Sequence, residues 1–221
     1  MRLLLLHPPL LSPVVWRRLA PLLAESGHSV SAPDLRPTVA ADWWRPVRDA
    51  AISAAPDAQA VLAHSGAGVL VPPVLDALPG AKAVVLVDAV LPASRGTTTV
   101  TPAMREAVRG LAVDGGLPPW TSWWPPELLA ELVPDPGDRA ALVAGAPQLP
   151  EALYDVAVPA PDGWEPPVRG YLQLSPAYDD AAVQARDRGW DTASLPGRHL
   201  DLLSNPAPIA RAILAMLADR H

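Results

Sequence analysis

The sequence predicts an α/β protein, a three-layer αβα sandwich around a mostly parallel sheet that a helical insertion interrupts. Short apolar segments of strand character alternate with segments of helical periodicity at both ends of the chain. The strand segments are nearly continuous in apolar residues, which is typical of parallel sheets covered on both faces. The alternation stops near residue 93 and resumes after about residue 165.

The first part of the chain supplies alternating strands and helices. Ser12 is a plausible N-cap of the first helix, Pro13 suits its first position, and Gly27 ends it. A kink is expected in the third helix, at Pro72 and Pro73. The predicted strands are Arg2–Leu6, His28–Ala32, Ala58–Ala63 and Lys82–Val87. The predicted helices are 13–26, Trp43–Ala55 and Gly66–Leu78.

Residues 93–165 contain no segment that predicts a strand. Helical pieces among proline-rich joints are expected near Pro102–Ala112, Pro126–Leu132, Gly137–Ala144 and Leu149–Asp155. After them come strand Gly170–Leu174, helix Asp180–Arg188, strand Trp190–Leu195 and helix Ala207–Arg220. The chain therefore divides into a core, residues 1–92 and 166–221, and a helical insertion, residues 93–165.

Composition limits the classes of partner. The chain has 221 residues, a net charge of −6 and no cysteine. Its length suits one domain with an insertion. It has no basic cluster, so no nucleic-acid partner is expected. Disulfides and cysteine-ligated metals are excluded, and no phosphate-binding glycine motif or metal-spaced histidine cluster is present, so neither metal nor cofactor is predicted.

The amino-terminal apolar run is short. Leu3–Leu6 is followed at once by Pro8 and Pro9, so it reads as a buried strand and not as a signal peptide. No stretch approaches the roughly 18 apolar residues of a membrane span. We expect no membrane span and a cytoplasmic protein.

The stretch VLAHSGAGVL, residues 61–70, carries the clearest chemical signal. Ser65 lies between a predicted strand and a predicted helix, and Ala63 and Ala67 flank it as small residues. A nucleophile elbow needs such small neighbours, because its turn is strained. The turn would present the hydroxyl at the start of the helix, where the Gly66 amide can stabilise an oxyanion. The alternative is an ordinary serine in a tight turn.

The whole chain resembles proteins of the α/β-hydrolase fold, of the serine esterase and thioesterase kind. The resemblance rests on five stretches that occur in the order of that fold and at suitable spacings. They are LLHPP (5–9), VSAPDL (30–35), AHSG (63–66), VLVDA (85–89) and PGRHL (196–200). It implies that residues 93–165 are a lid over the site.

The resemblance assigns roles to the residues around Ser65. His199, after the last predicted strand, is implied as the base that takes the Ser65 proton and later returns it. Relatives commonly place a second oxyanion donor where this chain has Pro9, which has no N–H. The Leu10 amide is then the candidate second donor beside Gly66.

The acid of the triad has two candidates. In most relatives it follows the strand that is Gly170–Leu174 here, but that register falls on Ala177 or Tyr178. Asp179 comes one or two residues late. Another branch of the fold supplies the acid from the end of the preceding strand, where Asp88 lies. Asp88 is therefore favoured, with Asp179 as the alternative.

The insertion is rich in tryptophan near the expected site. If the segment from Trp120 is helical, Trp120 and Trp124 share one face and can form a broad apolar surface. Together with Pro9 and Tyr178 they are candidates for the substrate pocket. Packing within the lid is the alternative for both tryptophans.

Three functions remain open from the sequence. The first is a serine hydrolase that cleaves an ester or thioester of a bulky apolar or aromatic small molecule. The second is a lyase, isomerase or cyclase in which Ser65 and His199 move protons, which Pro9 favours. The third is a non-catalytic small-molecule binder on the same scaffold.

Overall fold

The computed structural model describes residues 1–38 and 41–218. The strands are β1 Arg2–Leu6, β2 Ser29–Ser31, β3 Ala60–Ser65, β4 Ala83–Ala89, β5 Gly96–Thr98, β6 Gly116–Leu117, β7 Leu149–Pro150, β8 Val158–Ala160, β9 Val168–Gln173 and β10 Asp191–Ser194. The α-helices are α1 Leu19–Glu25, α2 Trp44–Ala54, α3 Val71–Ala77, α4 Pro102–Leu111, α5 Pro126–Leu132, α6 Pro136–Gly145, α7 Asp179–Asp187, α8 Asp201–Ser204 and α9 Pro206–Ala218. Short 3₁₀ helices cover Pro13–Trp16, Gly66–Leu70, Trp120–Ser122, Glu151–Asp155 and Pro176–Tyr178.

A parallel sheet forms the centre of the protein. In the described ranges it has six strands in the order β2-β1-β3-β4-β9-β10, and every pair of neighbours is parallel. Strands β3 and β4 are buried almost throughout, as their apolar sequences require. The predicted sheet is confirmed.

The two faces of the sheet carry separate hydrophobic clusters. Leu3 and Leu5 of β1 belong to the cluster that packs against α1 and α9. Leu4 and Leu6 point to the opposite face and pack with α2, α3 and α7. This alternation follows from the two-residue period of a strand. It produces the predicted three-layer sandwich.

Two predicted helices differ in detail. The first is divided into the 3₁₀ turn Pro13–Trp16 and helix α1. The third begins as the 3₁₀ turn Gly66–Leu70, and Pro72 and Pro73 lie in the first turn of α3 instead of kinking its middle. A proline costs little there, because first-turn N–H groups have no intrahelical acceptor. The predicted end of the last helix at Arg220 lies outside the described residues.

The expectation that residues 93–165 hold no strand is wrong. Strand β5 pairs antiparallel with β8, and β6 pairs antiparallel with β7. The segment Leu149–Asp155, expected to be helical, is strand β7 followed by a 3₁₀ turn. These strands have only two or three residues each, so they show no alternation that a sequence pattern could reveal.

The inserted segment is held against the loop that follows β1. Asp138 of α6 is buried, and its carboxylate lies 2.9 Å from Nε of Arg18 and 3.2 Å from Nε of Arg17. A Cβ on Gly145, at the end of α6, would lie 2.3 Å from Oγ of Ser12, so the two segments are in close contact. Within residues 1–38 and 41–218, no helix combines the length and hydropathy needed to cross a bilayer.

Candidate active site

Ser65 and Asp88 lie side by side at one edge of the sheet. Strands β3 and β4 are parallel neighbours, so their carboxyl ends meet there. Ser65 has φ 56° and ψ −130°, and Asp88 has φ 44°. Both values are costly for residues with a Cβ. The register slips after His64, so that Ser65 pairs with Ala89 and Asp88 has no partner on β3. Both side chains are thereby turned out of the regular strand pattern.

The elbow requires close contact between two backbones. A Cβ on Gly68 would lie 1.9 Å from the carbonyl oxygen of Val90. The Val90 N–H donates to the carbonyl oxygen of Ser65 at 3.0 Å. Only glycine at position 68 allows the turn after Ser65 to lie this close to the chain beyond β4.

A chain of hydrogen bonds links Asp88, His199 and Ser65. Nδ1 of His199 lies 2.7 Å from Oδ2 of Asp88, and Nε2 of His199 lies 3.0 Å from Oγ of Ser65. Because a carboxylate only accepts, Nδ1 carries the proton and donates a hydrogen bond to Asp88. Nε2 is then the acceptor of the Ser65 hydroxyl. This is the arrangement in which a histidine can take a proton from serine.

The Asp88 carboxylate is completely buried and fully bonded. Oδ1 accepts the N–H groups of Leu174 at 2.9 Å and Ser175 at 3.0 Å, and Oδ2 accepts the Ser175 hydroxyl at 2.6 Å. Burial raises the pKa of Asp88, but the hydrogen bonds from His199, Ser175 and Leu174 outweigh it, and the pKa lies below its ordinary value. Asp88 is therefore ionised at neutral pH.

Asp179, the alternative acid, is not part of the hydrogen-bond chain from Asp88 to Ser65. It is exposed at the start of α7, and its carboxylate accepts a hydrogen bond from the Gln173 amide. The loop after β9, in which the resemblance implies an acid, instead contributes backbone donors and Ser175 to Asp88. Sequence reasoning missed Ser175, although its position directly after β9 is the available signal.

Tyr178 contacts the serine directly. Its hydroxyl oxygen lies 3.1 Å from Oγ of Ser65, and its ring stacks on His199 with 5.2 Å between centroids and an interplanar angle of 12°. Burial raises the pKa of Tyr178 to about 12, so the phenol is neutral. Since Ser65 gives its hydrogen to His199, Tyr178 is the donor in this second bond. The sequence placed Tyr178 in the pocket but gave no sign of this contact.

Two buried histidines support the site from behind. His64 donates from Nε2 to the carbonyl oxygen of His199 at 3.0 Å, and the two rings lie 4.5 Å apart. His7 accepts the Leu35 N–H at Nε2 (2.7 Å) and donates from Nδ1 to the Pro8 carbonyl (2.9 Å). Burial lowers the pKa of His64 to about 3 and that of His7 to about 4. Both rings are neutral, and their hydrogen bonds hold the backbone at His199, Pro8 and Leu35 in place.

The oxyanion side of the site has one clear donor. Gly66 begins a 3₁₀ helix, where an N–H has no intrahelical acceptor. Pro9 and Leu10 are the central residues of a turn that the Leu11 N–H closes on the Pro8 carbonyl at 3.0 Å. Cδ of Pro9 lies 3.6 Å from the position that a Cβ would take on Gly66. The Leu10 N–H has no acceptor among the described residues, so it remains a candidate donor.

The tryptophans of the insertion pair with each other. Trp120 and Trp124 meet edge to face with 5.9 Å between centroids. The segment from Trp120 is a 3₁₀ turn and not the α-helix assumed for that pairing. Trp120 packs against the hydrophobic cluster on the α1 and α9 face, and Trp124 is 39% exposed. The aromatic contacts of His199 come instead from Tyr178 and His64.

Two concavities of the described surface lie away from Ser65. One concavity is lined by residues that include Gly116 and Leu117, and another by residues that include Asp76 and Trp164; neither includes Ser65. In the part of the chain that the structure describes, no three His, Asp or Glu side chains are grouped to hold a metal ion.

Solved structures share this architecture. An extracellular α/β-hydrolase from a Paenibacillus species superimposes with a TM-score of 0.65 at 17% identity, over 98% of each chain. The chain has the α/β-hydrolase fold. A pyrethroid hydrolase from Sphingobium faniae has the same fold (TM-score 0.67, 24% identity, 99% of this chain and 98% of that one). So does tomato methylketone synthase I, complexed with 2-tridecanone (TM-score 0.72, 14% identity, 98% and 97%). The sequence matches no protein-family model and no curated protein.

Proposed function

We propose that the protein is a serine hydrolase that cleaves an ester or thioester of a bulky apolar small molecule. The observation that carries this proposal is the continuous hydrogen-bond chain from Asp88 through His199 to Ser65, with contacts of 2.7 and 3.0 Å. An ionised, buried carboxylate at one end and a strained serine at the other are what an activated nucleophile requires.

In this mechanism Oγ of Ser65 attacks the acyl carbon. Nε2 of His199 takes the serine proton as the carbonyl electron pair moves to its oxygen. The Gly66 N–H stabilises that oxygen, with Leu10 as a second candidate. His199 then gives the proton to the departing alcohol or thiol, and water, activated by the same histidine, releases the acid from Ser65. Asp88 stays ionised and stabilises the imidazolium.

Several features support an apolar substrate. Pro9 is buried beside Gly66, and its ring forms an apolar wall. We assign Trp120 and Trp124 to the lid, residues 93–165, where they pair with each other, and we rest the apolar pocket on Pro9 and Tyr178. Two proteins of the same fold are named as a pyrethroid hydrolase and as a synthase complexed with 2-tridecanone.

A second candidate function is proton transfer without hydrolysis, as in a lyase or isomerase. Pro9 favours it, because one N–H that hydrolysis would use is missing. The contact of Ser65 with both His199 and Tyr178 gives a set of groups that can move protons.

The test is turnover of a panel of aryl and alkyl esters and thioesters. The wild type should hydrolyse the bulkier apolar members. Ser65→Ala and His199→Ala should each lower kcat by about 10⁴-fold or more. Ser26→Ala, at an exposed serine in the turn after α1, is the matched control and should match the wild type. Equal rates of ester hydrolysis in the wild type and Ser65→Ala would contradict the hydrolase assignment.

A further inference from the structure

At Pro9, the proposed site lacks one backbone donor beside Gly66, and the candidate Leu10 N–H lies one residue further along the chain. An ester carbonyl becomes negatively charged in the tetrahedral intermediate and needs preorganised N–H or O–H groups. The Gly66 N–H is available, but Cδ of Pro9, which is bonded directly to the nitrogen, occupies the direction in which an N–H would point. That carbon faces Gly66, 3.6 Å from its Cβ position. Pro9 therefore presents a carbon atom to Gly66 at the point where its own N–H would otherwise act as a donor.

We propose that the hydroxyl of Tyr178 supplies this missing donor and stabilises the oxyanion during acyl transfer. The inference rests on the proposed hydrolase function. It makes Tyr178 a catalytic residue in addition to a wall of the pocket.

Position supports this role. The Tyr178 hydroxyl oxygen is 3.1 Å from Oγ of Ser65. In the tetrahedral intermediate the oxyanion and Oγ are bonded to the same carbon, and the proposal places the Tyr178 hydroxyl on the side of that carbon where the oxyanion forms. The O–H of a phenol rotates about its C–O bond, and its hydrogen can follow the charge from Oγ to the oxyanion.

The Tyr178 ring is held in place before substrate binds. It stacks on His199 at an angle of 12°, and it belongs to the loop whose Leu174 and Ser175 N–H groups are bound to Asp88. Preorganised donors cost little reorganisation when charge develops. The same ring face lies over the imidazole of His199, with 5.2 Å between the ring centroids.

The proton balance of the step is simple. Oγ of Ser65 forms a bond to the acyl carbon, the carbonyl π bond breaks, and its electron pair becomes the oxyanion. The Ser65 proton moves to Nε2 of His199. Tyr178 keeps its own proton throughout, in agreement with a phenol pKa raised by burial to about 12. When the tetrahedral intermediate breaks down, His199 protonates the leaving group. The Tyr178 hydroxyl then donates its hydrogen bond to Oγ of Ser65 again.

The decisive variant is Tyr178→Phe, which removes the hydroxyl and keeps the ring that stacks on His199. Its kcat on the best ester should fall about 10²- to 10³-fold, the usual cost of one oxyanion donor, while KM stays within about twofold. Affinity for a trifluoromethyl ketone, whose adduct with Ser65 carries an oxyanion, should fall by the same factor. Tyr154→Phe is the matched control: Tyr154 is partly buried near Tyr178 and makes no hydrogen bond to Ser65 among the described residues, so loss of its hydroxyl should change neither value.

A second variant tests the connection to Pro9. Pro9→Ala restores an N–H beside Gly66, so it should raise the kcat of Tyr178→Phe about tenfold or more. If Tyr178→Phe is unstable, 3-fluorotyrosine at this position replaces it. A more acidic phenol should then bind the trifluoromethyl ketone more tightly.

The outcomes separate the two proposals. If the wild type turns over esters and Tyr178→Phe or the fluorinated protein is unchanged in kcat and ketone affinity, the donor role is overturned and the hydrolase stands. A change in KM alone also overturns it, because it shows ground-state recognition only. If the wild type neither turns over esters nor binds the ketone, both proposals fall together.

Discussion

Oδ2 of Asp88 lies 2.7 Å from Nδ1 of His199, and the same carboxylate accepts both N–H groups that follow strand β9. The carboxylate that contacts His199 thus comes from β4, and the loop after β9 binds it through hydrogen bonds. That loop also carries Tyr178, whose hydroxyl lies 3.1 Å from Ser65. The carboxylate lies on β4, and the loop after β9 carries its hydrogen-bond donors. This arrangement accounts for the unusual place of the carboxylate and for the contact of Tyr178 with Ser65.

Asp88→Asn should abolish most of the activity. The amide keeps the shape of the carboxylate but cannot stabilise an imidazolium, and it can hold His199 in the wrong tautomer. The corresponding change in a serine protease lowers kcat by about 10⁴-fold, and we expect a loss of about 10³- to 10⁴-fold in ester turnover.

Asp179→Asn is the control for this prediction. Its carboxylate is exposed and bonded to Gln173, so turnover should stay within about twofold of the wild type. A large loss in Asp179→Asn together with an active Asp88→Asn would reverse the assignment of the acid.

Stability should fall as the pH is lowered from 7 to 5. Burial lowers the pKa of His64 to about 3 and of His7 to about 4, whereas both titrate near 6.5 in the unfolded chain. Below pH 6.5 the unfolded chain therefore binds protons that the folded protein does not, which favours unfolding. Each histidine should remove about 2 kcal/mol from the free energy of unfolding between pH 7 and pH 5.

Urea unfolding of His64→Gln checks this. Glutamine can donate to the His199 carbonyl and does not titrate, so the loss between pH 7 and pH 5 should be about 2 kcal/mol smaller than in the wild type. An identical pH dependence in the two proteins would show that His64 is not buried in its neutral form.

Gly68→Ala should prevent the elbow from closing. Its Cβ would lie 1.9 Å from the Val90 carbonyl oxygen, and two backbone segments would have to separate. We expect the free energy of unfolding to fall by several kcal/mol, which lowers the urea midpoint, and we expect turnover to be lost.

Gly110→Ala is the matched control for Gly68→Ala. A Cβ at position 110 in helix α4 meets nothing within 4 Å. Alanine should therefore stabilise the protein by up to about 1 kcal/mol. If both alanine variants behaved alike, the close approach at Gly68 would not govern the turn.

Strong local patterns made most of the fold predictable. The apolar runs at β1, β3 and β4 are long enough to identify buried strands, and Gly27 marks the end of the first helical segment. The strands of the insertion are too short to give a periodic signal, and the sequence around β7 predicts a helix. Pro72 and Pro73 indicate a perturbed helix, but the sequence alone does not distinguish a kink in the middle of a helix from the first turn of a new helix.

The site was predictable where chain order fixes it. Ser65 is the last residue of β3 and His199 lies in the loop after β10, and parallel strands bring such residues to one edge. The Tyr178 contact could not be foreseen, because it depends on how the loop after β9 folds around Asp88. Two aspartates fitted the sequence as the acid, and only a three-dimensional arrangement distinguishes a carboxylate that meets His199 from one that meets Gln173.

The activation of Ser65 is tested most directly by measuring the intact mass of the protein after incubation with a fluorophosphonate. The wild type should gain the mass of a single adduct, and Ser65→Ala and His199→Ala should gain none. Circular dichroism of each variant checks that it is folded. A folded wild type that gains no mass, or an adduct that persists in Ser65→Ala, would contradict the account.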